Sequence, residues 1–422
     1  MYQTLQILPG VTLRCIRDQR FKQAAFSLQF LRPMSAQEAG MNAMLPAVLL
    51  RGCREYPDLR HITEKLDDLY GAAIGTLVRR IGDYQTTGFY CNFMEDRFAF
   101  SGDAILAPML HFVGQLLLQP ITEDGGFSKA FTESEQRNLI AAIEYERSDK
   151  RAYAARCLLE IMCAADSFGV PRLGTIEQVR EIDPKNLYTH YQTLLRDSPL
   201  ELFYVGTAAA ETVASILRSV FAGLPGRTRF MPPQTPFHPG QCQHITESQD
   251  IAQGKLSMGF TTPITNRDPR FAAMQVCNAI FGSGMTSKLF MQVREAMSLC
   301  YAISSSYYSS KGILTVNAGI DSGKQEPVIQ AILDQLAQCQ SGNISHRELQ
   351  AAKQSILSGL QAVYDSPGAM EGFFSVSTLS GMERSPQEYV RQVEAVTGAD
   401  VAAAAQTLCY HSSFFLKGED HA

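Results

Sequence analysis

The stretch Phe281–Tyr301, FGSGMTSKLFMQVREAMSLCY, decides how this chain reads. A Gly-Ser-Gly breaker at Gly282, Ser283 and Gly284 opens it. An amphipathic helix follows, with Leu289, Phe290 and Val293 on one face and Arg294 and Glu295 near its end. Seven residues after Arg294, Tyr301 enters a run in which Tyr307, Ile313, Leu314 and Val316 read as strand. An Arg at a helix end and a Tyr on the adjoining strand can converge on one point. There a guanidinium and a phenol O–H would hold a carbonyl or a tetrahedral oxyanion. The same pattern also suits a surface ion pair at a helix end beside a half-buried strand tyrosine.

Working outward, the segment before this stretch repeats one found early in the chain. Residues 25–53 laid without gaps over 255–283 place Ser27 on Ser257, Phe30 on Phe260 and Pro33 on Pro263. They also place Ala43 on Ala273, Met44 on Met274 and Gly52 on Gly282, and Tyr70 falls near Tyr301 with one more residue of offset. Both halves therefore run strand, Pro-containing loop, apolar helix, glycine. Between them GLPGRTRFMPPQTPFHPG, residues 223–240, carries five prolines and reads as a linker. The expected organisation is an N-terminal domain over 1–222, a linker over 223–243 and a C-terminal domain over 244–422. Adjacent strands (4–8, 12–16 and 24–31, then 75–81 and 85–93) and separate helices predict an α+β fold. It would have two similar halves, each a mostly antiparallel sheet with helices packed on one face.

Composition excludes several classes. Across 422 residues the net charge is -5 and no long basic run occurs, which argues against a nucleic-acid partner. No window approaches 18 uninterrupted apolar residues, so no membrane span is expected. The opening MYQTLQILPGVTLRCIRDQRFKQ has no apolar core and no small-residue cleavage site of a secretion signal. The ten cysteines include no CxxC pair, so reduced, packed thiols and a cytoplasmic location are expected.

The segment DPRFAAMQVCNAIFGSGMTSKLFMQVREAMSLCYAISSSY, which begins at Asp268, resembles the C-terminal domain of the pitrilysin/insulinase zinc peptidases, the inverzincins. The resemblance extends over nearly the whole chain. In active members the Arg and Tyr at these positions reach the zinc site of the opposite half or of a partner chain. The resemblance therefore implies that Arg294 and Tyr301 bind substrate and stabilise the transition state in trans. Gly282, Ser283 and Gly284 would set the Arg-bearing helix or line a substrate chamber. Active members also carry H-x-x-E-H on a helix, two ligands one turn apart and a general base between them. Here QEAGMNAMLPAVLLRGC keeps the setting, but the ligand positions fall on Ala43 and Ala47 and the base on Pro46. A proline inside that helix would cost about 3 kcal/mol or force a kink. The family's further Glu ligand follows another Glu by seven residues; with Glu135 leading, that position is Ala142, and Glu133 and Glu144 are the alternatives for it. None of the eight histidines pairs at i, i+4. No metal or other cofactor is expected in this chain, and zinc only in a partner.

The resemblance thus implies a non-catalytic subunit of a heterodimeric zinc peptidase, half of a clamshell closing with a zinc-bearing insulinase-family paralogue around a peptide substrate. A homodimer in isolation is also compatible. Size and the erased motif resemble the bacterial inactive member associated with aminopentanol modification of elongation factor P. A peptide-binding or scaffold protein with no peptidase role is the alternative. An unrelated enzyme would need a nucleophile beside a base, and Ser287 has no His near it in sequence.

Overall fold

The computed structural model describes residues 2–227, 237–382 and 384–418. Residues 228–236 of the expected linker lie outside that range. The chain begins with three strands, β1 (Tyr2–Leu8), β2 (Val11–Arg17) and β3 (Gln23–Pro33), then α1 (Ala36–Leu49) and α2 (Leu59–Asp68). The hairpin β4 (Ala73–Ile81) and β5 (Tyr84–Met94) leads to α3 (Leu106–Leu118) and a two-rung hairpin, β6 (Thr122–Glu123) with β7 (Gly126–Phe127). Helices α4 (Lys129–Ser148), α5 (Lys150–Met162), α6 (Ile176–Arg180) and α7 (Pro184–Asp197) precede β8 (Leu200–Gly206) and α8 (Ala210–Val220).

The second series opens with β9 (His244–Gln249), β10 (Gly254–Thr261) and α9 (Phe271–Asn278). It continues with β11 (Ala302–Tyr308), β12 (Ile313–Ile320), α10 (Gln325–Gln340) and α11 (His346–Ala362). Helices α12 (Pro367–Leu379), α13 (Pro386–Ala395) and α14 (Gly398–Ala405) then lead to β13 (Cys409–Gly418). Local chemistry sets many boundaries. Asp183 and Ser385, for example, cap α7 and α13 reciprocally with Asn186 and Glu388, and a proline opens each helix.

The two sheets carry the same plan. One runs β1-β2-β8-β3-β5-β4 and the other β9-β13-β10-β12-β11. β3 and β10 are the matching strands inside, β4 and β11 the matching edges, and each sheet has one parallel pair, β2 with β8 and β9 with β13. All other pairs are antiparallel. Ser27 and Ser257, aligned by the repeat, lie buried on these matching strands, as do Phe30 and Phe260. The fold is α+β with two similar sheets, as the repeat predicts.

By contacts, the chain divides into two compact units, Met1–Glu144 with Val170–Pro232 and Val363–Val376, and Tyr145–Gly169 with Pro233–Ala362 and Ser377–Ala422. Most helices of the first unit pack with its sheet in one large core that includes Phe26, Leu28, Met44, Phe112 and Leu202. The residues pointing from that sheet the other way, Ile16, Ala25 and Val205, are covered by Met370, Phe374 and Tyr364 of the late segment. Within that layer Glu371 is fully buried. It accepts from Ser27 Oγ at 2.6 Å and from Arg79 at 3.0 Å. In the second unit α5 fills the equivalent place, where Ala154, Leu158 and Met162 pack on Ile313, Phe414 and Leu416. Each unit thus completes its second sheet face with a helical segment drawn from the other half of the chain.

Candidate functional site

The helix that would carry the zinc motif is α1. Ala43 and Pro46 are buried in it and Ala47 is partly buried, so the three motif positions present only a methyl, a pyrrolidine ring and a second methyl. Such side chains offer no lone pair to a cation, and the residues present do not fit zinc. Nor does Pro46 break the helix. Leu50 N–H still donates to the Pro46 carbonyl at 3.1 Å. The bond that is lost is the one Pro46 N–H would have given to the carbonyl of Asn42, four residues back. The buried Thr87 hydroxyl on β5 donates to that carbonyl instead, at 2.6 Å.

Around this patch lies a buried polar network that the sequence did not reveal. The Asn42 amide donates to Gln85 Oε1 at 2.9 Å, and its oxygen accepts from His190 Nε2 at 2.7 Å. Gln85 in turn donates to the carbonyls of Ala39 and Arg172. Burial holds the His190 imidazole below its ordinary pKa; Glu38 opposes that shift and Arg32 adds to it. His190 is therefore a neutral donor to Asn42.

Helix α4 supplies the third motif position. Ala142 is exposed on it and has no donor atom to offer. Glu135, the leading carboxylate, is largely buried and paired with Arg51, whose guanidinium also donates to Ser134 at 2.9 Å. Arg51 follows α1 directly. An ion pair thus joins α4 to the residue that closely follows α1. Among the described residues no three His, Cys, Asp or Glu side chains gather in a metal-binding group.

The Gly-Ser-Gly stretch takes an unusual winding. Residues Ala279–Ser283 and Leu289–Ala296 are π-helical, and Met297 N–H donates to the Gln292 carbonyl five residues back at 2.9 Å. Leu289 and Val293 are fully buried, as their periodicity predicts. Gly282 is a packing residue. A Cβ there would lie 2.7 Å from both Leu289 Cδ1 and Ser305 Oγ. Ser283 is exposed, and Gly284 is extended with open space where a Cβ would go.

Arg294 is part-exposed. It stacks over the Phe290 ring at 4.5 Å and pairs with Glu295 at 3.4 Å. Tyr301 is 59% exposed just before the edge strand β11, and its O–H donates to Asp321 at 2.8 Å. That hydrogen bond and the Asp321 charge raise the phenol pKa, so the group stays protonated. Asp321 also pairs with Lys324 at 2.9 Å. Arg294 and Tyr301 share no hydrogen bond or ring contact. Met285, Met291 and Met297 are exposed along the same stretch.

The structure thus combines two sheets of matched strand order with a helix, α1, that has no metal donor at its expected motif positions. Residues 181–356 match the peptidase M16 inactive domain. Over 413 residues the chain is 26% identical to the probable inactive metalloprotease YmfF of Bacillus subtilis (strain 168), covering 98% of this chain and 97% of that one. A crystal structure of a protein from Enterococcus faecalis V583 aligns at TM-score 0.93 with 25% identity, over 100% of this chain and 99% of that one. The peptidase M16 inactive domain from Pseudomonas fluorescens shares the fold at TM-score 0.80 and 17% identity, over 100% and 99% of the two chains. In sequence and fold the chain is similar to inactive-type homologues of the M16 peptidases. No helix among the described residues is long and apolar enough to cross a membrane.

Proposed function

We propose that this chain is the non-catalytic subunit of a two-chain zinc peptidase, presenting Arg294 and Tyr301 to a peptide held by a zinc-bearing M16-type partner. One observation carries the reading. Arg294 is part-exposed and Tyr301 exposed in a stretch that also carries three exposed methionines, while α1 of the same chain has no donor at the motif positions. Exposed methionines can repack against varied side chains, which suits a surface made to meet another molecule. A guanidinium and a protonated phenol are the donors that a developing oxyanion needs. Tyr301 would turn its O–H from Asp321 to the substrate, and Lys324 would keep Asp321 paired when it does so.

The zinc chemistry belongs to the partner in this proposal, and so does activation of water. Gly282 acts by letting the Arg-bearing turn pack tightly, and Ser283 and Gly284 lie where a peptide could pass. A cytoplasmic setting is part of the proposal, since all ten cysteines are free thiols. No residue here argues for translation-factor modification, and the proposal does not include it.

The test is peptide cleavage by the reconstituted pair. Arg294→Ala should lower turnover roughly 100- to 1000-fold, the usual loss for one transition-state donor, and Tyr301→Phe should lower it as well. Turnover unchanged by Arg294→Ala sinks the trans-acting role. A stable complex without cleavage would point instead to a peptide-holding or scaffold subunit.

A further inference from the structure

Next to the Arg-bearing turn the second unit holds a pocket of about 440 Å3. One wall is the turn itself, with Lys288, Met291 and Gln292, and the other comes from α10 and the start of α11, with Gln335, Arg347 and Glu348. A volume of this order takes a small ligand or two to three residues of an extended chain.

Two features make it a site rather than a crevice. Gln335 is only 8% exposed, yet its side-chain amide makes no hydrogen bond within the chain. Its amide is not among the side-chain atoms sealed from solvent without a partner, so it stays open to a ligand entering the pocket that Gln335 lines. The second feature is the charge balance. Lys288 pairs with Glu348 at 2.7 Å, and Ser345 donates to the same carboxylate. Burial alone would raise the Glu348 pKa, but the bonds from Lys288 and Ser345 outweigh it and hold the carboxylate ionised. Those two charges cancel. Arg347, exposed at the pocket and without an ion pair, remains as its net positive group.

A guanidinium and an amide lining one pocket complement a carboxylate attached to an amide. We propose that this pocket binds the C-terminal end of a peptide, with Arg347 on the terminal carboxylate and Gln335 on the adjoining backbone amide. A carboxylate suits the planar fork of Arg, and the amide pairs with either polarity of a peptide unit. The methyl of Ala351 and the thioether of Met291 leave room for a small apolar last side chain. Met291 and Gln292 belong to the same π-turn as Arg294, so a peptide seated here would touch the turn that carries the arginine.

The proposal does not depend on a peptidase partner, and its test uses this chain alone. Fluorescein-labelled trialanine is titrated by anisotropy as the free acid and as the C-terminal amide, against wild type, Arg347→Ala and Gln335→Leu. Arg347 is exposed and Leu occupies a volume close to that of Gln, so both variants should fold, and unchanged far-UV circular dichroism checks it. The free acid should bind at least tenfold more tightly than the amide. Arg347→Ala should weaken the free acid roughly ten- to hundredfold, the loss of one charge-assisted pair, and leave the amide unchanged. Gln335→Leu should weaken both. Equal binding of acid and amide, no effect of Arg347→Ala, or no binding of either peptide at millimolar concentration would each overturn the assignment. So would full displacement of the free acid by equimolar inorganic phosphate, which would make the site a general anion site.

Discussion

Thr87→Val is the perturbation that most sharply probes how α1 has accommodated its proline. Valine matches threonine in shape and suits a strand, so the change removes little more than a hydroxyl. That hydroxyl is the donor, at 2.6 Å, to the Asn42 carbonyl that Pro46 leaves without its helical partner. The carbonyl is buried, and leaving it unsatisfied costs about 1–3 kcal/mol. In a Pro46→Ala background the helix regains its N–H at position 46, and the carbonyl no longer needs Thr87. The same Thr87→Val change should then cost at least about 1 kcal/mol less, a coupling in the range seen for contacting residues. The chain contains no tryptophan, so urea unfolding would be followed by far-UV circular dichroism on all four members of the cycle. Equal cost of Thr87→Val in both backgrounds would refute the compensation. It would mean that α1 is held by its packing alone.

Other consequences follow from single contacts. Gly282→Ala should destabilise the second unit by about 1–3 kcal/mol through overpacking against Leu289 and Ser305. Gly284→Ala, with open space around it, should be close to neutral in the same melt, and equal effects would contradict the packing role. Arg51→Met should cost about 1–3 kcal/mol by leaving the largely buried Glu135 carboxylate without its cation. Arg51→Met with Glu135→Gln should recover part of that loss in urea unfolding; no recovery would mean the pair is incidental. His190 prefers its neutral form in the fold, so the unfolded chain binds the extra proton. Stability present above the ordinary value of 6.5 should therefore fall as pH drops below it, by at most about 1.4 kcal/mol per unit. His190→Gln, which keeps an N–H for Asn42, should flatten that slope, and an unchanged slope would show that another group sets it.

Much of the fold was legible because it rests on local pattern. α3 begins and ends at Leu106 and Leu118, where its apolar run does, and Asp58 caps α2 where the sequence turns polar. The aligned pairs Ser27 with Ser257 and Phe30 with Phe260 anticipated two sheets with matching inner strands. What stayed hidden depends on contacts between distant residues. Nothing local in Lys150–Met162 or Val363–Val376 announces that each segment covers a sheet built by the other half of the chain. Glu371 reads as a surface carboxylate until Ser27, 344 residues away, is seen to meet it.

The candidate site divides in the same way. That no donor stands at the expected ligand positions Ala43 and Ala47 or at the base position Pro46 is visible in a few letters, because a metal motif is a spacing of donor types. The proline was expected to strain its helix. The hydroxyl that relieves it belongs to Thr87, on a strand 45 residues beyond the Asn42 carbonyl it serves. His190 gave no signal, since its partner Asn42 is 148 residues away and no histidine spacing marks it. Glu135 stands alone in the sequence reading, and only the fold pairs it with Arg51. Gln335 is an ordinary glutamine in an amphipathic helix until its burial beside Arg347 is known.

The central claim is division of labour between two chains, and zinc-dependent peptide cleavage tests it most directly. The assay is run on this chain alone, on a zinc-bearing M16 homologue from the same organism alone, and on the two mixed. The account predicts cleavage by the mixture well above either chain separately, and none by this chain. Cleavage by this chain alone, or a mixture no faster than the zinc-bearing chain, would contradict it.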